Sequence, residues 1–135
     1  MHKILNMKKL GILILLAFIS LFSIQAADKT KGKISFEQTT WDFGNIREDG
    51  GKVTHEFIFV NEGSEPLKIT SAKAECGCTV PEFPKGEIAP GQKGVIKVTY
   101  NPLGRPGGFT KVVRVRATGN PGKINLKIRG TVLPK

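Results

Sequence analysis

Two cysteines separated by one glycine, Cys76-Gly77-Cys78, carry most of the chemical potential of this 135-residue chain. They are its only cysteines. Thiolates are strong nucleophiles and soft metal ligands. In a fully extended strand the two Cα atoms would stand about 6.5–7 Å apart on one face. A disulfide needs roughly 4.4–6.8 Å. A Cys76–Cys78 bond therefore requires a local contraction, and Gly77 is the residue expected to allow it. The product would be a small ring suited to thiol exchange rather than to stapling. Alternatively, the two thiolates could bind Cu(I) or supply half of a zinc site. A third possibility is structural, with two small cysteines fitting a tight bend. The sequence leaves all three open, with Cys76 and Cys78 as the candidate redox or thiol site.

Other reactive residues are sparse. His55 lies in an alternating segment, on the same face as Val53 and Phe57. A semi-buried structural histidine is expected there. A nucleophilic triad needs a base, an orienting acid and a nucleophile, and no nucleophile motif accompanies His55. Glu48-Asp49 precedes Gly50-Gly51 and reads as a solvated turn. Arg105 to Gly108, with Lys111, could cradle an anion, but phosphate-loop spacing is absent. No residue is assigned to catalysis, and neither a cofactor nor a metal is assigned to the chain.

The N-terminus indicates a compartment. Lys3, Lys8 and Lys9 precede an apolar run from Leu10 to Phe22, followed by Ala26 and Ala27. This is the pattern of a secretory signal peptide over residues 1–26. The run is shorter than the ~18 apolar residues of a membrane span, so no span is expected after cleavage. The expected location is the periplasm, the cell surface or the exterior. Oxidising surroundings there favour paired cysteines.

Removing residues 1–26 lowers the formal charge from +10 by three lysines. The remaining ~109 residues suit one domain with one core. Residues 27–32 are polar and read as a flexible tether, with the domain over 33–135. The basic residues Lys97, Arg114, Arg116, Lys127 and Arg129 alternate with apolar ones, as on the solvated face of a sheet. Aromatics are not interleaved with arginine as base stacking requires, and export disfavours nucleic acid as a partner.

From Lys33 onward the dominant hydrophobic period is two. Glycine and proline interrupt it at intervals, and no long helical period occurs. About seven short strands in such a length describe an Ig-like antiparallel β-sandwich. The expected core is Phe36, Trp41, Phe43, Phe57, Phe59, Ile69, Ile96, Val98, Val113, Val115, Leu126 and Ile128. Asn61 to Pro66 reads as a turn.

Several segments also carry a family resemblance. In order they are Asp42 to Ile46, Phe57 to Gly63, Pro66 to Ile69, Cys76-Gly77-Cys78-Thr79-Val80-Pro81, Ile88 to Gly91, Gly108 to Lys111 and Ile128 to Val132. Together the chain resembles the exported bacterial family known as domain of unknown function 1573. That family is similar to Hydin-like and major-sperm-protein-like Ig folds. The resemblance runs from about Phe36 to Val132 and implies an Ig-like fold. It implies no activity. It favours a binding or structural module whose partner is an envelope or cell-surface protein or a glycan. The alternatives are a thiol-disulfide or copper-handling protein acting through the C-G-C motif, and a polyanion binder using the basic strand face.

Overall fold

A computed structural model describes residues 31–135. The expected signal peptide and most of the expected tether lie outside them. Gly32, at the end of that tether, is already buried against Leu67 and the loop at Gly119.

Alternating apolar residues form eight strands: β1 Ile34–Phe36, β2 Thr40–Arg47, β3 Val53–Asn61, β4 Ile69–Ala74, β5 Thr79–Glu82, β6 Lys93–Tyr100, β7 Gly107–Ala117 and β8 Ile124–Leu133. They make a front sheet in the order β1-β3-β6-β5 and a back sheet in the order β2-β8-β7-β4. Two such sheets, each apolar on one face, bury those faces against each other. The all-β Ig-like sandwich expected from the sequence is the fold observed.

Three local differences have physical causes. Thr79–Glu82 was not expected as a strand because it is short and contains Pro81. It survives as an edge strand paired only with β6, where a missing N–H can be tolerated. β4 starts at Ile69, and Leu67, two residues earlier, forms a lone bridge with Ile88 instead of joining it. Finally, β2 runs parallel to β8, while the other neighbours are antiparallel.

That parallel pair arises because the first extended segment changes sheets. Glu37 N donates to Ile58 O in the front sheet at 3.0 Å. Two residues later, Thr39 O accepts from Lys127 N in the back sheet at 2.8 Å. The bend between them carries the chain across the edge of the sandwich.

The core joins Phe57, Phe59, Ile96 and Val98 of the front sheet to Ile69, Val113, Val115, Leu126 and Ile128 of the back sheet. Complete burial of such side chains contributes about 1.5–3 kcal/mol each. Gly94 makes room for Phe59, since a Cβ there would strike the ring. Phe36 and Phe43 are only partly buried. Trp41 corrects the expected core more strongly, being 37% exposed. It lies on β2, an edge strand, so one flank has no neighbouring strand to cover it.

Asn61 is the other correction. It is the last residue of β3, fully buried, rather than a surface turn residue. Its Oδ1 accepts from Lys33 N and Gly63 N at 3.2 and 2.9 Å. Its Nδ2 donates to Glu65 O and Ile88 O at 2.8 and 3.0 Å. One amide thus fastens the start of β1, the turn after β3 and the approach to β6. Gly63 permits this closeness, because a Cβ there would collide with the Lys31–Lys33 backbone.

Candidate functional site

The two cysteines lie where the chain crosses from β4 of the back sheet to β5 of the front sheet. Thr79 N donates to Cys76 O at 3.3 Å, closing the turn, and Asn101 N donates to Cys78 O at 2.9 Å. Cys76 and Cys78 form a disulfide with their Cα atoms 5.3 Å apart. The anticipated contraction therefore occurs. Gly77 does not achieve it through a left-handed conformation, because it is absent from the positive-φ glycines. A Cβ at Gly77 would meet open space. The glycine requirement inferred from the motif is thus not visible in the backbone.

Cys78 is 6% exposed, and Cys76 is half-buried. Thr79, 3% exposed, places its hydroxyl 3.7 Å from Cys78 Sγ and 4.0 Å from Cys76 Sγ. Beside the bridge is a small hollow of 210 Å³ whose walls include Lys52, Gly77, Cys78 and Thr99. A bond spanning two positions in sequence closes very little chain. By loop-closure entropy it restricts the unfolded state by only about 1.5 kcal/mol. Both sulfurs are used in the bridge, leaving no thiolate for copper or zinc while it is closed. Among the described residues, no three of His, Cys, Asp and Glu gather as a metal site.

The remaining candidates separate. His55 is half-buried and stacks on Trp41, with ring centroids 4.1 Å apart and planes 7° apart. It meets Phe57 edge-on at 4.7 Å. Burial lowers its pKa, opposed by the charge of Glu56. The imidazole is packed between rings, as its alternation implied. Asp49 takes two hydrogen bonds from Arg47, at 3.0 and 3.2 Å, which hold its carboxyl below the usual range. Glu48 instead accepts from Gly104 N at 3.1 Å. The two carboxylates thus serve different contacts. Arg105 donates to Leu103 O of its own loop at 2.9 Å.

The structure assembles one feature that the sequence did not group. On the outer face of the back sheet, Lys73 lies directly opposite Arg114, and Ser71 opposite Arg116. These four residues and Lys123 surround a hollow of 290 Å³. Arg114 binds Glu75 at 2.7 Å. Among the described residues, Lys73, Arg116 and Lys123 have no acidic partner within salt-bridge distance. Like charges facing each other across strands oppose sheet stability. Lys73 sits between two alanines and Lys123 follows a Pro-Gly turn, and only the folded back sheet brings them beside the arginines. A larger open hollow of 570 Å³ lies toward β2, where Arg129 and Asp42 neutralise each other at 3.0 Å.

A family model described as a protein of unknown function, DUF1573, matches residues 34–132. The chain belongs to the DUF1573 family. No curated protein matches its sequence. Among solved structures, it is similar to a protein of unknown function from Porphyromonas gingivalis W83 at a TM-score of 0.65 and 15% identity, covering 81% of this chain and 51% of that one. Its fold is also similar to the ASH/PapD-like domain 7 of human CEP192, at 0.63 and 12%, covering 77% and 87%. The Vibrio cholerae VesB protease gives 0.57 and 15%, covering 73% and 31%. The DUF1573 chain therefore spans about half of the Porphyromonas protein and under a third of VesB. At these identities the likeness is one of fold. Among the described residues, no helix is long and apolar enough to cross a membrane.

Proposed function

We propose that this DUF1573 chain is an exported, non-enzymatic binding module of the bacterial envelope whose partner is an acidic glycan. The observation that carries this reading is the cationic group on the back sheet. Lys73 faces Arg114, whose own charge is met by Glu75 at 2.7 Å, and Arg116 and Lys123 border the same hollow with no acidic partner among the described residues. An arrangement that works against sheet stability is understandable if a ligand supplies the missing negative charge. The exposed large apolar side chains Trp41, Val80, Leu103 and Leu133 do not line this hollow. A hydrated, charged polymer suits such a surface better than an apolar protein patch. Export rests on the charged and apolar N-terminal pattern. N-terminal sequencing of exported material should begin near Ala27, and a start at Met1 or Met7 would contradict processing.

The binding test uses polygalacturonate and a neutral dextran on the mature protein. Retention on the acidic polymer should weaken steeply as salt rises through the physiological range. The double variant Lys73→Gln, Arg116→Gln should reduce affinity by about tenfold or more, since each lost surface contact removes a modest electrostatic contribution. Equal retention of both polymers, or a double variant that binds like the parent, would remove this reading.

A further inference from the structure

We infer that the Cys76–Cys78 bridge is a reversible thiol-disulfide exchange site that oxidises a partner dithiol. The inference is independent of glycan binding on the back sheet. It begins with Thr79, a buried residue whose hydroxyl has the two bridge sulfurs as its hydrogen-bond partners. A disulfide sulfur is a weak acceptor, whereas a thiolate is a strong one. Thr79 is therefore poorly matched to the closed bridge and well matched to the opened one. Lys52 and Glu82 both line the hollow beside Cys78, a cation that favours a thiolate and a carboxylate that opposes one, so the preference for the opened bridge rests on Thr79. The bridge itself spans only two positions and restrains little chain.

Cys76 is the more exposed half, so it is the sulfur attacked. A thiolate of the partner dithiol bonds to Cys76 Sγ. The Cys76–Cys78 bond breaks, and Cys78 leaves with the electron pair as a thiolate. The Thr79 hydroxyl stabilises that charge. The partner's second thiolate then attacks the partner sulfur of the mixed disulfide and expels Cys76. The partner gains a disulfide, the chain gains two thiols, and two electrons pass from partner to chain. The two protons of the partner dithiol reach Cys76 and Cys78 through water. Thr79 acts here as a positioning residue.

Dithiothreitol is the probe. The native mature protein is incubated at increasing dithiothreitol, quenched with an alkylating agent and weighed. The opening rate should rise in proportion to dithiothreitol and exceed the independently measured rate of global unfolding. Thr79→Val should slow opening by about threefold to tenfold, because leaving-group pKa controls exchange. It should also raise the pH at which Cys78 of the reduced protein is alkylated. Thr79→Ser should restore both values. An opening rate that levels off at the unfolding rate would make the bridge purely structural and overturn the inference. So would a folded Thr79→Val variant with the parent rate and pH profile. If Thr79→Val does not fold, the dithiothreitol dependence of the parent protein decides alone.

Discussion

The outer faces of the two sheets follow the same alternation in sequence but differ in electrostatic arrangement. On the front sheet, Lys97 of β6 lies between Glu56 of β3 and Glu82 of β5. Thr54 and Thr99 share a hydrogen bond one step along, at 2.9 Å. That face is internally balanced. On the back sheet, Lys73 meets Arg114, Glu75 balances only the arginine, and Arg116 and Lys123 lie beside them. An outward lysine means one thing between two acids and another beside an arginine. Cross-strand neighbours, rather than composition, decide whether a basic strand closes upon itself or offers charge to a partner.

The most disruptive test of this contrast removes the core that holds both faces. Phe59→Ala should cost about 3–5 kcal/mol in equilibrium denaturation and should impair both faces together. A loss below about 1 kcal/mol would mean that the sandwich does not depend on this ring. Asn61→Ala should follow at about 2–4 kcal/mol, since several buried backbone groups lose their partner. The proteins that remain folded should keep normal polygalacturonate affinity, because Asn61 is remote from the cationic hollow in the strand order.

Single charge changes sharpen the comparison further. Lys97→Glu would put three acids in one front-sheet row and should lower stability by about 0.5–1 kcal/mol without weakening polygalacturonate binding. Lys73→Gln should do the opposite. Stability should hold or rise by a few tenths of a kcal/mol as the pair with Arg114 is relieved, while polymer affinity falls. Parallel losses of stability and affinity in Lys73→Gln would show that the back-sheet row is structural.

The smallest effect concerns pH. Burial depresses the folded-state pKa of His55. Above about pH 6.5 the imidazole is neutral in both states and stability is intact. As pH falls, the unfolded chain takes up a proton before the folded one, so stability declines until the folded-state pKa is passed. His55→Gln should flatten this shallow step in urea titrations between about pH 7 and pH 5. An unchanged profile would assign the step to another group.

Much of the fold was legible because a period of two is a local property. Phe57, Phe59, Ile96, Val98, Val113 and Val115 could be assigned inward from their own neighbours in sequence. The C-G-C spacing likewise exposed the candidate bridge, and the backbone completed it at 5.3 Å. For Trp41 alternation gives a direction but not the cover above it, and its edge strand leaves it 37% exposed. Asn61 resembles a turn residue in sequence, because two of its four partners, Lys33 and Ile88, lie far along the chain and only packing brings them to its amide.

The amino-acid sequence by itself determined the strand period, the inward and outward residues of the long strands, the family and the proximity of Cys76 to Cys78. These depend on local backbone geometry and short spacings. Tertiary structure alone decided the sheet change between Glu37 and Thr39, the parallel β2–β8 pair, the buried Asn61 network, the meeting of Lys73 with Arg114 and the burial of Thr79 beside the sulfurs. Each depends on register or packing between distant segments, which follows from the simultaneous burial of both sheets rather than from any one stretch of chain.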